Sequence, residues 1–254
     1  MRNIPRILHY AWFGPKPMPS AYRGYIEGWR RLLPDWDMIA WTEQDLDWSS
    51  RYINEAYATR GWTRLADYMR VHALHRFGGF YLDTDIELIR PLDALCDEEV
   101  VLGFQSRLRT PSWVNNAVIG AAPGHAFLTR WLRAFETRMP GWRRMGDAHG
   151  PGLVTRLLEE DGLDASPASA PRKVGAVTLL PPDRFYPYEW TERFTPSCVG
   201  AETFAVHHWG GAEAGHRPLT PGETLRALGA MAAPRLAASV MRRRFQAERR
   251  RLRA

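Results

Sequence analysis

A chain of 254 residues with 45% hydrophobic and 24% charged residues can bury one sizeable core and is too apolar for a disordered segment. Two cysteines, Cys96 and Cys198, exclude a disulfide framework and a closed thiolate zinc site and read as reduced thiols of a cytoplasmic protein. The net charge of +6 is a property of the end of the chain: Arg235 to Ala254 carries eight arginines and one glutamate, so the body is near neutral, and nucleic acid is not the expected partner.

The opening MRNIPRILHYAWFGPKP is too short in its apolar run and too proline-rich for a signal peptide. No stretch reaches the ~18 apolar residues of a membrane span. The expected location is therefore the cytosol or the inner face of the plasma membrane.

In chain order, Ile4 to Trp12 reads as a buried strand followed by a Pro/Gly loop. Pro19 to Leu33 is a helix stopped by Pro34, and Asp37 to Trp41 a short strand. Thr42 is an N-cap for a turn running to Trp48. Helices follow over Ser50 to Arg60 and Thr63 to Phe77, the second ended by Gly78 and Gly79. Phe80 to Ile89, Val100 to Gln105 and Ala117 to Ala121 are strands. Ala126 to Thr137 and Gly150 to Glu160 are helices. Glu160 to Arg172 is a polar loop, and Val177 to Leu180 and Phe204 to His208 are late strands. This alternation predicts an α/β fold: one domain over 1–221 with a central, mostly parallel sheet flanked by helices, and a basic helical tail over 222–254.

Two places concentrate charge inside apolar sequence. In the 80–89 strand, alternate residues share a face, so Tyr81, Asp83, Asp85 and Glu87 lie opposite Phe80, Leu82, Thr84, Ile86 and Leu88. Aspartate is depleted in strands, and a pair on one face is explained by a hard divalent cation, Mn²⁺ or Mg²⁺, bridging them to a diphosphate. In the preceding helix Trp62, Leu65, Ala66, Met69, Ala73 and Phe77 form a core stripe, while Asp67 and Arg70, three apart, are neighbours on a second side. Phosphate loops of the G-x-x-x-x-G-K-[ST] and G-x-G-x-x-G types, H-E-x-x-H and G-x-S-x-G are all absent from the sequence.

The run Leu65-Ala66-Asp67-Tyr68-Met69-Arg70 followed by Phe77-Gly78-Gly79-Phe80-Tyr81-Leu82-Asp83-Thr84-Asp85 resembles the glycosyltransferases with a DXD sugar-binding region, family 32, whose motif the clostridial glucosylating toxins share. Further segments resemble the same family: Ile4 to Gly14, Asn115 to Ala121, Gly150-Pro151 and Val206-His207-His208-Trp209. After Trp209 the family often has Ser-Trp, whereas here Gly210-Gly211-Ala212-Glu213 follows, which leaves open whether a hydroxyl contributes to the metal or phosphate site.

The resemblance implies a GT-A-like fold and hexose transfer from a UDP- or GDP-sugar to a glycan or lipid-linked hydroxyl. It implies dependence on Mn²⁺ or Mg²⁺, retention of configuration, and a place in surface polysaccharide synthesis. It makes Asp67, Arg70, Asp83 and Asp85 the catalytic group. The donor would be bound by Ala11, Trp12 (stacked on the base), Asp67, Arg70, Tyr81, Asp83, Asn115 and Asn116. The metal would be held by Asp83, Asp85 and one of His207 and His208, since adjacent strand residues face opposite ways. The Arg-rich tail, with Leu236, Val240, Met241, Phe245 and Leu252, is expected to lie on an anionic membrane. Two rival readings are a non-catalytic nucleotide-sugar or glycan binder and a metal-dependent nucleotide-sugar hydrolase.

Overall fold

In the computed structural model of the protein, residues 2–108, 112–137, 150–166 and 168–210 are described, with positions 233, 235, 236, 239, 240, 242 and 243 near the C-terminus. Most of the expected tail and the Gly211–Glu213 segment lie outside the described residues.

The chain opens with β1 (Ile7–Ala11), α1 (Ser20–Leu32) and β2 (Asp37–Trp41), then α2 (Arg51–Ala58) and α3 (Trp62–Phe77). Next come β3 (Gly79–Leu82), β4 (Ile86–Leu88), β5 (Val100–Phe104) and β6 (Val114–Ala121). It closes with α4 (Ala126–Thr137), α5 (Gly150–Glu159), β7 (Arg172–Val174), β8 (Val177–Leu180) and β9 (Ala205–His207). The main sheet has the order β2-β1-β3-β6-β5-β8-β7, and among the described residues β4 pairs only with β9. In the main sheet β2, β1, β3, β5 and β8 run one way and β6 and β7 the other, so it is mixed but mostly parallel, as expected for an α/β fold.

Side-chain alternation sends the two faces of this sheet into separate cores. Phe80 and Leu82 pack with Trp29, Ile26 and Leu33 of the α1 layer, while Tyr81 faces Leu65, Met69, Trp131 and Leu153 of the α3, α4 and α5 layer. Trp29 is fully buried, and its indole N–H donates to the Ile86 carbonyl at 2.9 Å, which fixes α1 on β4. On the other side of β1, His9 joins three elements. The Trp41 indole can only donate, so His9 Nδ1 accepts from it at 3.2 Å and Nε2–H donates to the Gly78 carbonyl at 2.9 Å. Burial holds this imidazole below its ordinary pKa against the pull of that carbonyl, as suits a neutral structural histidine.

Gly79 is where the helix-to-strand connection demands glycine. Its φ is +99°, and a Cβ there would run into the Ile7 carbonyl of β1. The cap at Thr42 is a capping box, with Thr42 N donating to Asp45 Oδ2 at 2.8 Å.

One expectation fails in an informative way. The segment 80–89 is not a single strand. It breaks after Leu82 into a turn over Asp83-Thr84-Asp85, closed by Ile86 N–H to the Asp83 carbonyl at 3.0 Å, and resumes as β4 in the second sheet. Strand alternation therefore does not place the two aspartates. Strand β7 is too short and too charged to show a period, and the polar loop expected over Glu160 to Arg172 overlaps only its first residue.

Candidate active site

β1, β3 and β5 all end at one edge of the sheet, and antiparallel β6 begins there. Ligands of α/β sheets bind at the carboxyl ends of the strands. Asp83, the residue after β3, lies at this edge with Asp85 two residues on, and Asn115 and Asn116 enter it at the start of β6.

The turn and the β4–β9 ladder bring in the remaining groups. The register sets Ile86 opposite His207. His207 Nε2 then lies 3.2 Å from Asp85 Oδ2, and one ligand atom from each of Asp83, Asp85 and His207 falls within 4.8 Å of the others. Donors on a common small cation at about 2.1 Å sit roughly 3 Å apart at right angles, so this group needs little adjustment to hold one. His207 Nδ1 is buried with no partner among the described residues, an orphaned polar atom that points to a missing ligand or water. Two carboxylates and an imidazole fit Mn²⁺ and, with more water in the shell, Mg²⁺.

The same Asp85 oxygen accepts Gly210 N–H at 2.9 Å, and the Asp85 carbonyl accepts His208 N–H at 3.0 Å. A backbone donor thus reaches this carboxylate from the residue after Trp209. The chain reaches that position by placing Trp209 at φ +53°, an uncommon conformation for a bulky residue and one that collects at functional sites. Trp209 lies against the His207 ring at 4.2 Å, and its indole N–H donates to the Tyr188 carbonyl at 3.3 Å. Burial pushes the Asp85 carboxyl up, but His207 and the backbone N–H groups outweigh it and hold it below the usual range. Burial pushes Asp83 up against the pull of Arg70, and the neighbouring Asp85 charge adds to the rise. Two carboxylates this close call for a cation.

Helix α3 supplies the second half of the site. Arg70 is 4% exposed and every one of its nitrogens meets a protein oxygen. Nη2 reaches Asp83 Oδ1 at 3.0 Å and Asp67 Oδ1 at 3.2 Å; Nη1 reaches Asp83 Oδ2 at 3.3 Å and the Asn116 carbonyl; Nε reaches the Ala66 carbonyl at 3.3 Å. Asn116 Nδ2 donates to Asp67 Oδ1 at 2.9 Å. The arginine is thus a bidentate clamp on Asp83 rather than a free cation reaching for a phosphate. Burial would lower its pKa, but Asp83 and Asp67 together raise it. Tyr81 is fully buried beneath this cluster, its ring centroid 4.9 Å from the guanidinium carbon. The N-terminus of α5 closes the far side: a Cβ at Gly150, where φ is +60°, would lie 3.7 Å from Asp67 Oδ2, and a helix start favours a carboxylate.

The other expected residues are distributed as follows. Trp12, half-buried, stands one residue beyond β1, its indole N–H on the Lys16 carbonyl at 2.8 Å and its ring edge-on to Tyr22 at 6.0 Å. The Tyr22 hydroxyl abuts Gly210, so tightly that a Cβ there would overlap it, and this links Trp12 to the Asp85 end. Ala11 is buried in the core beside Trp41, so its side chain does not line the site. Asn115 bonds Gln105 Oε1 at 3.0 Å and Ala117 N at 2.7 Å, not Asp67. His208 turns away to Glu87 Oε2 at 2.8 Å and stacks on Tyr25 at 4.9 Å, outside the cation group. Tyr186, unnoticed in the sequence, is fully enclosed against His207, and its hydroxyl accepts Val118 N–H at 3.2 Å; no local pattern marks it.

Comparison with known proteins identifies the family. Residues 19–102 match the glycosyltransferase sugar-binding region containing a DXD motif, and residues 120–228 match the alpha 1,4-glycosyltransferase conserved region. The lactosylceramide 4-alpha-galactosyltransferase of Pongo pygmaeus is 32% identical over 163 residues, 60% of this chain and 70% of that one. Inositol phosphoceramide mannosyltransferase 3 of Schizosaccharomyces pombe is 30% identical over 139 residues, 51% of this chain and 36% of that one. The chain spans less than half the length of most of the curated relatives it matches, 43% for the human galactosyltransferase. The PaToxG glycosyltransferase superposes with a TM-score of 0.50 at 13% identity, covering 62% of this chain and 70% of its own, which makes the fold GT-A-like. The chain belongs to the glycosyltransferases with a DXD-containing sugar-binding region.

Proposed function

We propose that the protein transfers a hexose from a nucleoside-diphosphate sugar, UDP- or GDP-linked, to a hydroxyl of a lipid-borne glycan. The observation that carries this reading is the convergence of Asp83, Asp85 and His207 beside the Asp67–Arg70–Asn116 network at one sheet edge. Asp83, Asp85 and His207 would hold Mn²⁺ or Mg²⁺, which supplies Lewis-acid neutralisation of the departing diphosphate. Trp12 offers an indole face to the base. Asp67, with Oδ1 fixed by Arg70 and Asn116, presents Oδ2 to a sugar hydroxyl. Arg70 acts by locking both carboxylates in place, so that their orientation is set before the donor arrives.

A lipid-borne acceptor is supported by the names of the galactosyl- and mannosyltransferase relatives, both of which specify ceramide lipids. The galactosyltransferase's name also specifies an α-linkage. From an α-linked donor, an α product means retention, which is part of the proposal, as is a role in building cell-surface glycans. Donor turnover separates this reading from its rivals. Incubated with UDP- and GDP-sugars and Mn²⁺, the protein should release nucleotide substantially faster when a glycan acceptor is added. Equal release without acceptor would make it a hydrolase, and binding without release a non-catalytic binder.

The proposal extends to the place of work, the cytoplasmic face of an anionic membrane. Among the described residues no helix is long and apolar enough to cross a bilayer. Leu236 and Val240, four residues apart in sequence, are 68% and 46% exposed, and Arg235 and Arg243 are exposed as well. That arrangement supports contact with acidic lipid headgroups, at ~1 kcal/mol per arginine near the surface. Arg242 instead lies over the Trp48 ring at 4.1 Å, which tethers the segment to the body. The full chain should pellet with anionic vesicles at low salt and a chain truncated after Pro234 should not. Equal pelleting of the two removes the membrane from the proposal.

A further inference from the structure

Five large apolar side chains are exposed among the described residues. Two belong to the C-terminal segment. The other three, Leu108 at 76%, Trp113 at 43% and Trp190 at 45%, stand on segments that are joined beyond the carboxyl end of β5. Three stretches of chain are joined there. Gln105 N–H donates to the Trp113 carbonyl at 2.7 Å, and Ser112 Oγ donates to the Ser106 carbonyl at 2.7 Å. Glu189, buried, accepts Ser106 Oγ at 2.8 Å and Arg107 N–H at 3.1 Å, while its own N–H donates to Glu192 Oε2 at 2.9 Å. A buried carboxylate thereby fixes the backbone on which Trp190 stands.

Both tryptophans are the outward ends of segments whose inward ends build the candidate active site. Two and three residues beyond Trp113 come Asn115 and Asn116, the latter bonded to Asp67. Two and four residues before Trp190 come Tyr188, which holds Trp209, and Tyr186, which stands against His207. The nucleotide end, at Trp12 just beyond β1, lies farther along the same sheet edge, across β3 and β6 from β5.

We propose that Trp113 and Trp190 form an acceptor subsite, two indole faces on which a saccharide ring stacks as its hydroxyl is presented to the donor sugar. The proposal rests on the transferase reading above. A pyranose has apolar C–H faces and a polar rim, which calls for flat aromatic surfaces interrupted by amides and charges. Half-buried Gln105 and exposed Arg107 supply that interruption, whereas a lipid surface favours unbroken apolar area. Because the loops are pinned in advance, little ordering cost attends binding.

The test uses the full-length chain and two double variants, Trp113→Ala/Trp190→Ala and Trp113→Phe/Trp190→Phe. Methyl β-lactoside and methyl α-mannoside at millimolar concentration are the probes, read by saturation-transfer NMR, and UDP and GDP with Mn²⁺ are read separately by thermal shift. Saccharide affinity should fall roughly tenfold in the alanine variant and stay within about threefold in the phenylalanine variant, with nucleotide binding unchanged in both. Unchanged saccharide contact in the alanine variant overturns the subsite. So does absence of saccharide binding by the parent chain while nucleotide still binds, which leaves the transferase reading standing. Loss of pelleting on neutral phosphatidylcholine vesicles, with saccharide contact intact, assigns the patch to lipid and also overturns it. Failure of every nucleotide to bind, by contrast, removes the transferase reading itself.

Discussion

Replacing Arg70 by methionine should lower the free energy of unfolding by about 3–5 kcal/mol, measured by urea denaturation. The effect comes less from the lost pair than from what remains: Asp67 buried with no cation beside it, and Asp83 deprived of its bidentate partner. Arg70→Lys should recover only part of this, because an ammonium cannot serve Asp83, Asp67 and the Asn116 carbonyl with one planar fork. The triple change Arg70→Met, Asp67→Asn, Asp83→Asn should be more stable than Arg70→Met alone while remaining inactive, since it removes the stranded charges. A loss below about 1 kcal/mol in Arg70→Met would mean that both carboxylates escape to water, and the clamp described here would be wrong.

Asp85→Asn should abolish Mn²⁺-dependent nucleotide binding, read by calorimetry, and reduce sugar transfer by about a thousandfold. The amide keeps the size of the side chain and can still accept Gly210 N–H through its oxygen, so the turn should survive and circular dichroism should be unchanged. What it removes is the charge that the cation needs between Asp83 and His207. Metal-dependent binding that persists at parental affinity would exclude Asp85 as a ligand.

These residues differ in how far the sequence alone could reach them. The Asp67–Arg70 pair is legible because helical spacing of three guarantees that the two are neighbours, and the buried stripe around them shows that their charges must be matched. The bond from Arg70 to Asp83 is not legible, because it crosses from α3 to the end of β3 and depends on how the helix docks. The two aspartates are legible in the sequence, but strand alternation gives them the wrong geometry. Alternate positions of a strand stand roughly 6.7 Å apart, which keeps side chains parallel; the actual turn lets ligand atoms converge with a third from His207 inside 4.8 Å. Aspartate's poor fit to a strand was the clue to that break. Choosing His207 over His208 required the β4–β9 register, set by pairing between distant segments and invisible to local pattern. Tyr186 and Glu189 carry no signal at all, since both act through loops whose neighbours are decided by tertiary packing.

The β4–β9 ladder also sets a timetable for the protein's birth. It joins Ile86 to His207, and everything between them must be made before the pair can close. An emerging chain can form α3, β3 and the Asp67–Arg70–Asp83 cluster long before the third arm of the cation group exists. During synthesis from the N-terminus the acidic turn therefore waits for its histidine, and no partial product holds Asp83, Asp85 and His207 together. Long-range closure of this kind slows folding, so the candidate site should be among the last parts of the molecule to mature.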